Sequence, residues 1–320
     1  MNVHETTVRA PAAQLARAHI LSAPGLRSTL RRQQGLFALT LFVPVILLFL
    51  IIRVIPIVQI FLFSFTNYSV QRRTWRIVGF DNFVRLLSDQ TFHLAFKNSM
   101  LFILYAVPIE IVLALALALL INRKLRLEGL YQTLFFLPYI LPMVPAGIMW
   151  KWIYAPGSFG LANYALESLG LPRVGWLTDP NIALFAVVIM HVWKNLGFFV
   201  VIFLVGLKAI SPEVVEAARV DGATEWQTIG HVQLPLLRPT ILFGVVMGTI
   251  WSMSVFTEVY IMTQGTDVSA GSEMEVLVTT IYKEAFQYFN MGYAATVSLV
   301  LFAVSMLFVA IQFRLLDAKE

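Results

Sequence analysis

Cysteine is absent from the 320 residues, which excludes a disulfide framework, thiolate catalysis and any cysteine-ligated metal centre. Charge is scarce: Asp, Glu, Lys and Arg together make up 13% of the chain, where a water-soluble domain carries about 25%. No Gly-x-x-x-x-Gly-Lys-Ser/Thr loop occurs, so the sequence has no P-loop to cradle nucleotide phosphates. His4, His19, His93, His191 and His231 are scattered, with no His-Glu-x-x-His helix and no second ligand at metal spacing. A Gly-x-Ser-x-Gly elbow is missing too, which counts against an intramembrane serine hydrolase. Glu273 and Glu275 flank a single residue and read as a solvated loop, not an acid/base pair. No catalytic residue, no metal site and no cofactor are therefore expected in this chain.

What is present is hydrophobic, at 58% of residues. Apolar runs fall near 36–65, 94–121, 134–153, 182–207, 241–262 and 293–315. Each is long enough to cross a hydrocarbon layer of roughly 30 Å as a helix rising about 1.5 Å per residue. The expectation is an all-α integral membrane protein with about six transmembrane helices. The first run exceeds the core of a cleaved signal and follows a polar stretch bearing Arg9, Arg17, Arg27, Arg31 and Arg32, so residues 1–35 read as a retained tail and 36–320 as one membrane domain. The 23 Lys and Arg against 18 Asp and Glu suit basic cytoplasmic loops better than a nucleic-acid face. With both termini inside, Arg123, Lys124, Arg126, Lys208, Arg219, Arg238, Arg314 and Lys319 join the tail arginines in the cytoplasm, leaving fewer cations outside.

Several features break the apolar pattern. Pro138, Pro142 and Pro145 crowd the third run, where each removes a backbone donor and favours a kink. Asp81–Leu87 and Leu161–Leu166 read as short interfacial helices in outer loops. Arg53, Lys97, Lys151 and Lys194 are expected to snorkel or pair with neighbours, and Glu110 to be buried against other helices, protonated or partnered. His191, Lys194 and Asn195 in the fourth run, and Trp251, Ser252, Ser254, Thr257 and Glu258 in the fifth, mix aromatic faces with hydroxyl and amide groups. Such a mixture suits a neutral polyol, with rings against C–H and polar groups on hydroxyls.

Between the fourth and fifth runs lies a polar segment, 211–235, built like folded structure. Ser211 is placed as an N-cap, Pro212 as the first helical residue, Glu213 in the first turn and Gly222 as a left-handed stop, predicting a helix over 212–221. Thr224-Glu225-Trp226-Gln227 fits a capping box, predicting a second helix that Pro235 ends. Ala217 and Ala218 let another surface approach closely, and Glu216 and Arg219 can orient it.

Glu216-Ala217-Ala218, Gly222, Val232, Leu234 and Pro235 resemble, at every spacing, the signature of permease subunits of binding-protein-dependent ATP-binding-cassette importers, with Val232 in place of the usual Ile. The likeness extends to Ser64–Tyr68, Val78–Phe83, Phe135–Tyr139 and Leu234–Pro239, which look like the maltose, lactose and glycerol-3-phosphate branch. It implies a type I importer permease fold, with Glu216, Ala217, Ala218, Arg219, Asp221 and Gly222 contacting an ATPase dimer that binds ATP and Mg. The implied partners are a second homologous permease, expected to make a heterodimer, and an extracytoplasmic solute-binding protein. The implied location is the bacterial inner membrane, and Asn195, Gly197, Gly248, Trp251, Ser252 and Val255 are the implied substrate path. The rival reading is an ATP-independent transporter using Lys194, Glu110 or Glu258 as proton relays.

Overall fold

A computed structural model describes residues 37, 39–72, 75–123, 128–264 and 274–317. The 1–35 tail with its arginines, and Arg73, Lys124, Arg126, Glu273 and Lys319, lie outside the described residues. The chain divides into two compact units, Met1–Gln59 and Ile60–Glu320. Among the described residues five helices are long and apolar enough to cross a membrane, and a bent pair makes a sixth crossing if counted as one. Among the described residues β-structure is limited to one isolated bridge, Thr66 to Ile77.

The first long helix, α1 (Leu39–Ser64), contains a π-helical turn, Leu50–Val54. Pro56 cannot donate to the carbonyl of residue 52, and the turn ahead of it widens accordingly. In the second unit come α2 (Asp81–Ser88), α3 (Gln90–Ile121), α4 (Glu128–Ile140), α5 (Met143–Ile153), α6 (Leu161–Ser168) and α7 (Pro180–Lys208). They are followed by α8 (Pro212–Val220), α9 (Glu225–Thr228), α10 (Arg238–Met253), α11 (Thr257–Thr263), α12 (Leu277–Tyr282) and α13 (Met291–Asp317). The two short helices expected outside the spans are α2 and α6.

Caps explain why two spans begin ahead of their apolar runs. Asp89 accepts from the amides of Thr91 (2.9 Å) and Phe92 (3.4 Å) to open α3, and Asp179 accepts from Asn181 (2.9 Å) with Pro180 at the first position of α7. The third span is not merely kinked: α4 and α5 meet at 97°. Leu141 precedes Pro142, which disfavours helix there, while Pro145 falls in the first turn of α5, where its missing N–H costs nothing.

Helices α3 and α7 pack along their length. Ala106, Glu110, Ala114 and Ala118 repeat every four residues on one face of α3, and all four have no exposure. Small side chains matter here because lipid is as apolar as leucine, so close van der Waals approach, not hydrophobic transfer, drives helix pairing in a membrane. Apolar clusters lie on either side of Glu110: Phe102, Met190, Val187 and Met262 in one, Phe199, Phe203, Leu204 and Leu237 in the other. At one end α2 is clamped by polar contacts. Asn82 donates to the carbonyls of Ser64 and Thr66 (both 2.8 Å), and Arg85 pairs with Glu284 at 3.1 Å while lying 3.8 Å over the Tyr293 ring.

Candidate functional site: the exposed bracket and the buried polar spans

The segment after α7 folds as a bracket. Helix α8 begins at Pro212 as expected, but the Ser211 side chain makes no cap bond, correcting that expectation; its carbonyl accepts from Val214 N at 3.2 Å. The stop is as anticipated. Gly222 sits at φ +84°, Ala223 N donates to Ala218 O (3.0 Å) and Gly222 N to Arg219 O (3.1 Å), which together make a Schellman ending. Thr224 and Gln227 form the reciprocal capping box, with Thr224 N 2.8 Å from Gln227 Oε1 and Gln227 N 3.4 Å from Thr224 Oγ1.

Pro235 does not end this second helix. A π-turn, Ile229–Gln233, takes up the chain after α9, and Leu234–Leu236 is helical again with Pro235 in its first turn, where proline is tolerated. Glu216, Ala217, Arg219, Asp221 and Gly222 are all exposed, and Ala218 is half-buried. Two neighbours the sequence reading passed over are more conspicuous: Val220 is 87% exposed and Trp226 79%. Large apolar side chains so exposed on a polar loop were the available signal. Arg123 and Glu225 (2.9 Å) tie the bracket to the end of α3, but both are exposed, and such pairs contribute about 0–1 kcal/mol.

The six residues expected along a substrate path occupy different surroundings. Asn195, Gly197, Gly248, Ser252 and Val255 are buried between helices of this chain. Trp251 is half-buried, stacked 6.2 Å from the Tyr139 ring and 4.8 Å from Phe198. A Cβ on Gly197 would lie 2.1 Å from the Phe135 carbonyl oxygen, so this glycine is where α7 touches the α4 backbone. None of the six lines the apolar cavity of about 990 Å³ between α5 and residues 174–178, walled by Ile148, Trp152, Tyr154, Trp176 and Leu177.

Two of the lysines in the spans, Lys194 and Lys151, hold backbone carbonyls. The Lys194 ammonium donates to Tyr139 O at 2.6 Å and lies 5.3 Å from that ring, capping the carbonyl end of α4 at the elbow. Lys151 donates to Ile261 O (3.3 Å) and to Gln264 O, joining α5 to the end of α11. Lys97 is exposed. Glu110 is wholly buried as expected, with His191 Nε2 3.6 Å from its Oε1; the other ring nitrogen, Nδ1, is 3.0 Å from Glu258 Oε1. These three residues were singled out separately in the sequence, but their meeting was not. Substituting Lys194 by Met leaves the α4 carbonyl unpaired and is expected to cost about 1–3 kcal/mol. Thermal unfolding in lipid nanodiscs checks this; Lys194→Arg recovers part of the loss, and an unchanged melting temperature for Lys194→Met rules the cap out.

Residues 110–319 match the family described as the binding-protein-dependent transport system inner membrane component. The chain belongs to that family. Among its relatives, this permease is 33% identical over 279 residues to the lactose transport system permease protein LacF of Rhizobium radiobacter, covering 86% of this chain and 92% of that one. It is 30% identical over 267 residues to the trehalose/maltose transport system permease protein MalF of Thermococcus litoralis, covering 83% and 88%. A bacterial alginate ABC transporter, solved with a periplasmic protein carrying alginate pentasaccharide, contains a chain that superposes on this permease with a TM-score of 0.78. The two are 26% identical, with 91% of this chain and 98% of that one covered. The permease component of a multi-pass, binding-protein-dependent ABC transporter, with its type I fold, is therefore what this sequence encodes.

Proposed function

We propose that this permease forms half of the path by which an ATP-driven importer takes up a sugar or oligosaccharide. The observation that carries the reading is the bracket: the residues matching the family signature, Glu216, Ala217, Ala218 and Gly222, stand on an exposed helix closed by a Schellman turn. That is a rigid, accessible surface between two membrane spans, suited to docking an ATPase dimer that binds ATP and Mg. Relatives named for lactose and for trehalose and maltose, and a structural neighbour that imports alginate, support a carbohydrate as the solute. The remaining parts of the assembly are a homologous permease in a heterodimer and an extracytoplasmic solute-binding protein. The chain sits in the bacterial inner membrane, both termini cytoplasmic, with 1–35 as a cytoplasmic tail and 36–320 as the membrane domain.

In this reading ATP does no chemistry on the sugar. Closure of the ATPase dimer moves the docked bracket, and α7 and α10 carry the movement into the spans, exchanging inward- and outward-facing states. A conformational change of this kind requires that the ATP-bound ATPase hold one state more tightly, and about 5.5 kcal/mol of difference reverses a 1:99 population. The test is uptake of a panel of labelled sugars into proteoliposomes holding the assembly purified through this chain, with its binding protein outside and ATP inside. Uptake of at least one sugar that needs both is expected. Uptake by the chain alone, driven by a pH gradient, would transfer the function to a secondary transporter.

A further inference from the structure

Glu110, His191 and Glu258 come from α3, α7 and α11 and meet in a dry region, at 0%, 2% and 4% exposure. The imidazole lies between the two carboxyls, Nδ1 3.0 Å from Glu258 Oε1 and Nε2 3.6 Å from Glu110 Oε1. Phe102 meets the ring edge-on at 5.1 Å. Neither Glu110 oxygen has a hydrogen-bond partner, and the Ser252 hydroxyl from α10 is likewise buried without one. The Lys194 ammonium makes its hydrogen bond elsewhere, to Tyr139 O on α4. The carboxyls face opposite edges of the ring, so they do not converge on a common metal ion.

The Asn195 amide flanks the same imidazole. Asn195 Nδ2 donates to the His191 carbonyl at 3.0 Å, which fixes the amide's orientation, and the same nitrogen lies 3.3 Å from His191 Nε2. Whichever ring nitrogen carries a proton, the imidazole's hydrogen bond to a carboxyl is the one at Glu258. One imidazole carries at most one positive charge against two carboxyls, and Glu258 is the one that holds its hydrogen bond. An ionised Glu110, with no hydrogen bond to either oxygen and the imidazole 3.6 Å away, would be a poorly compensated charge in a membrane interior.

We propose that Glu110 is a buried proton-binding site: it is a neutral carboxylic acid in the packed protein, and its proton lets α3, α7 and α11 close on one another. This goes beyond the sugar-import reading and does not depend on it. Removing the proton puts two negative charges in the cluster, which then admits water or opens. At neutral pH a solvated carboxyl is ionised, so unfolding releases the proton. The folded state binds more protons than the unfolded one, and stability falls as pH rises.

The test uses the full-length chain in nanodiscs. Infrared spectroscopy at neutral pH should show the C=O band of a protonated carboxylic acid, lost in Glu110→Gln and kept in Glu258→Gln. Wild-type protein should lose up to about tenfold in its folded-to-unfolded ratio per pH unit as pH rises from about 5, just above the usual glutamate range, toward neutral, whereas Glu110→Gln, which mimics the neutral acid, should lack the part of that slope that Glu110 carries. A wild-type spectrum without the band overturns the proposal by itself, even if Glu110→Gln does not fold. So does a Glu110→Gln protein that keeps the band or the wild-type pH slope.

Discussion

Gly197→Ala should destabilise the membrane domain more than a typical core substitution, whereas Gly248→Ala should be mild. A Cβ at 197 would lie 2.1 Å from Phe135 O, 2.7 Å from Phe135 C and 2.7 Å from Phe136 Cα. All three are backbone atoms, so no side-chain rotation relieves the clash and α4 must move away from α7. That movement also pulls Tyr139 O from Lys194, 2.6 Å away in the intact protein. Overpacking usually costs about 1–3 kcal/mol, and a shift of a whole helix places this substitution at or above the upper end. A Cβ at 248 would instead meet Glu110 Oε2 at 3.5 Å and Phe199 Cζ at 3.6 Å, both ordinary contacts. Melting temperatures of the two variants in nanodiscs check the contrast, and equal losses would mean that the α4–α7 contact is not as close as described.

Gly222→Val is expected to reduce uptake by roughly tenfold or more while leaving the membrane domain as stable as wild type. A Cβ at 222 would meet nothing within 4 Å, so the substitution creates no clash inside the chain. Its cost is conformational: φ is +84°, a left-handed state that a β-branched residue adopts at about 1–3 kcal/mol. The bracket then spends most of its time with α8 unclosed, and about 1.4 kcal/mol is a tenfold loss of the competent form. Gly222→Asn, which tolerates the left-handed region, should retain much more uptake. Sugar uptake and ATPase co-purification by both variants decide the matter; normal values for Gly222→Val would discard the bracket as the point where force enters.

Much of this was legible beforehand because the relevant signals are local. Apolar runs located the spans within a few residues, and α8, its glycine stop and the capping box at Thr224 followed from residues adjacent in sequence. Glu275, expected in a solvated loop, is instead buried at 5% exposure and pairs with Lys283 at 3.1 Å, and two other expectations failed for equally local reasons. Ser211 leaves its side chain unused, and Pro235 falls in a first turn where a proline does not interrupt a helix. The cluster of Pro138, Pro142 and Pro145 signalled a disturbance but not its size, because a 97° elbow needs partners for the freed backbone groups, and one of them, Lys194, lies 55 residues from Tyr139.

The sequence by itself determined that this is a membrane-embedded helical permease with a folded polar segment between its fourth and fifth apolar runs, since burial in lipid demands long apolar helices and a turn demands its glycine. Only the tertiary structure decided which polar residues in those helices meet. Spacing along one helix shows which side chains share a face, but not which other helix that face touches. So Glu110, His191 and Glu258 could each be recognised as costly in a membrane, while their union around one imidazole depends on how three helices pack.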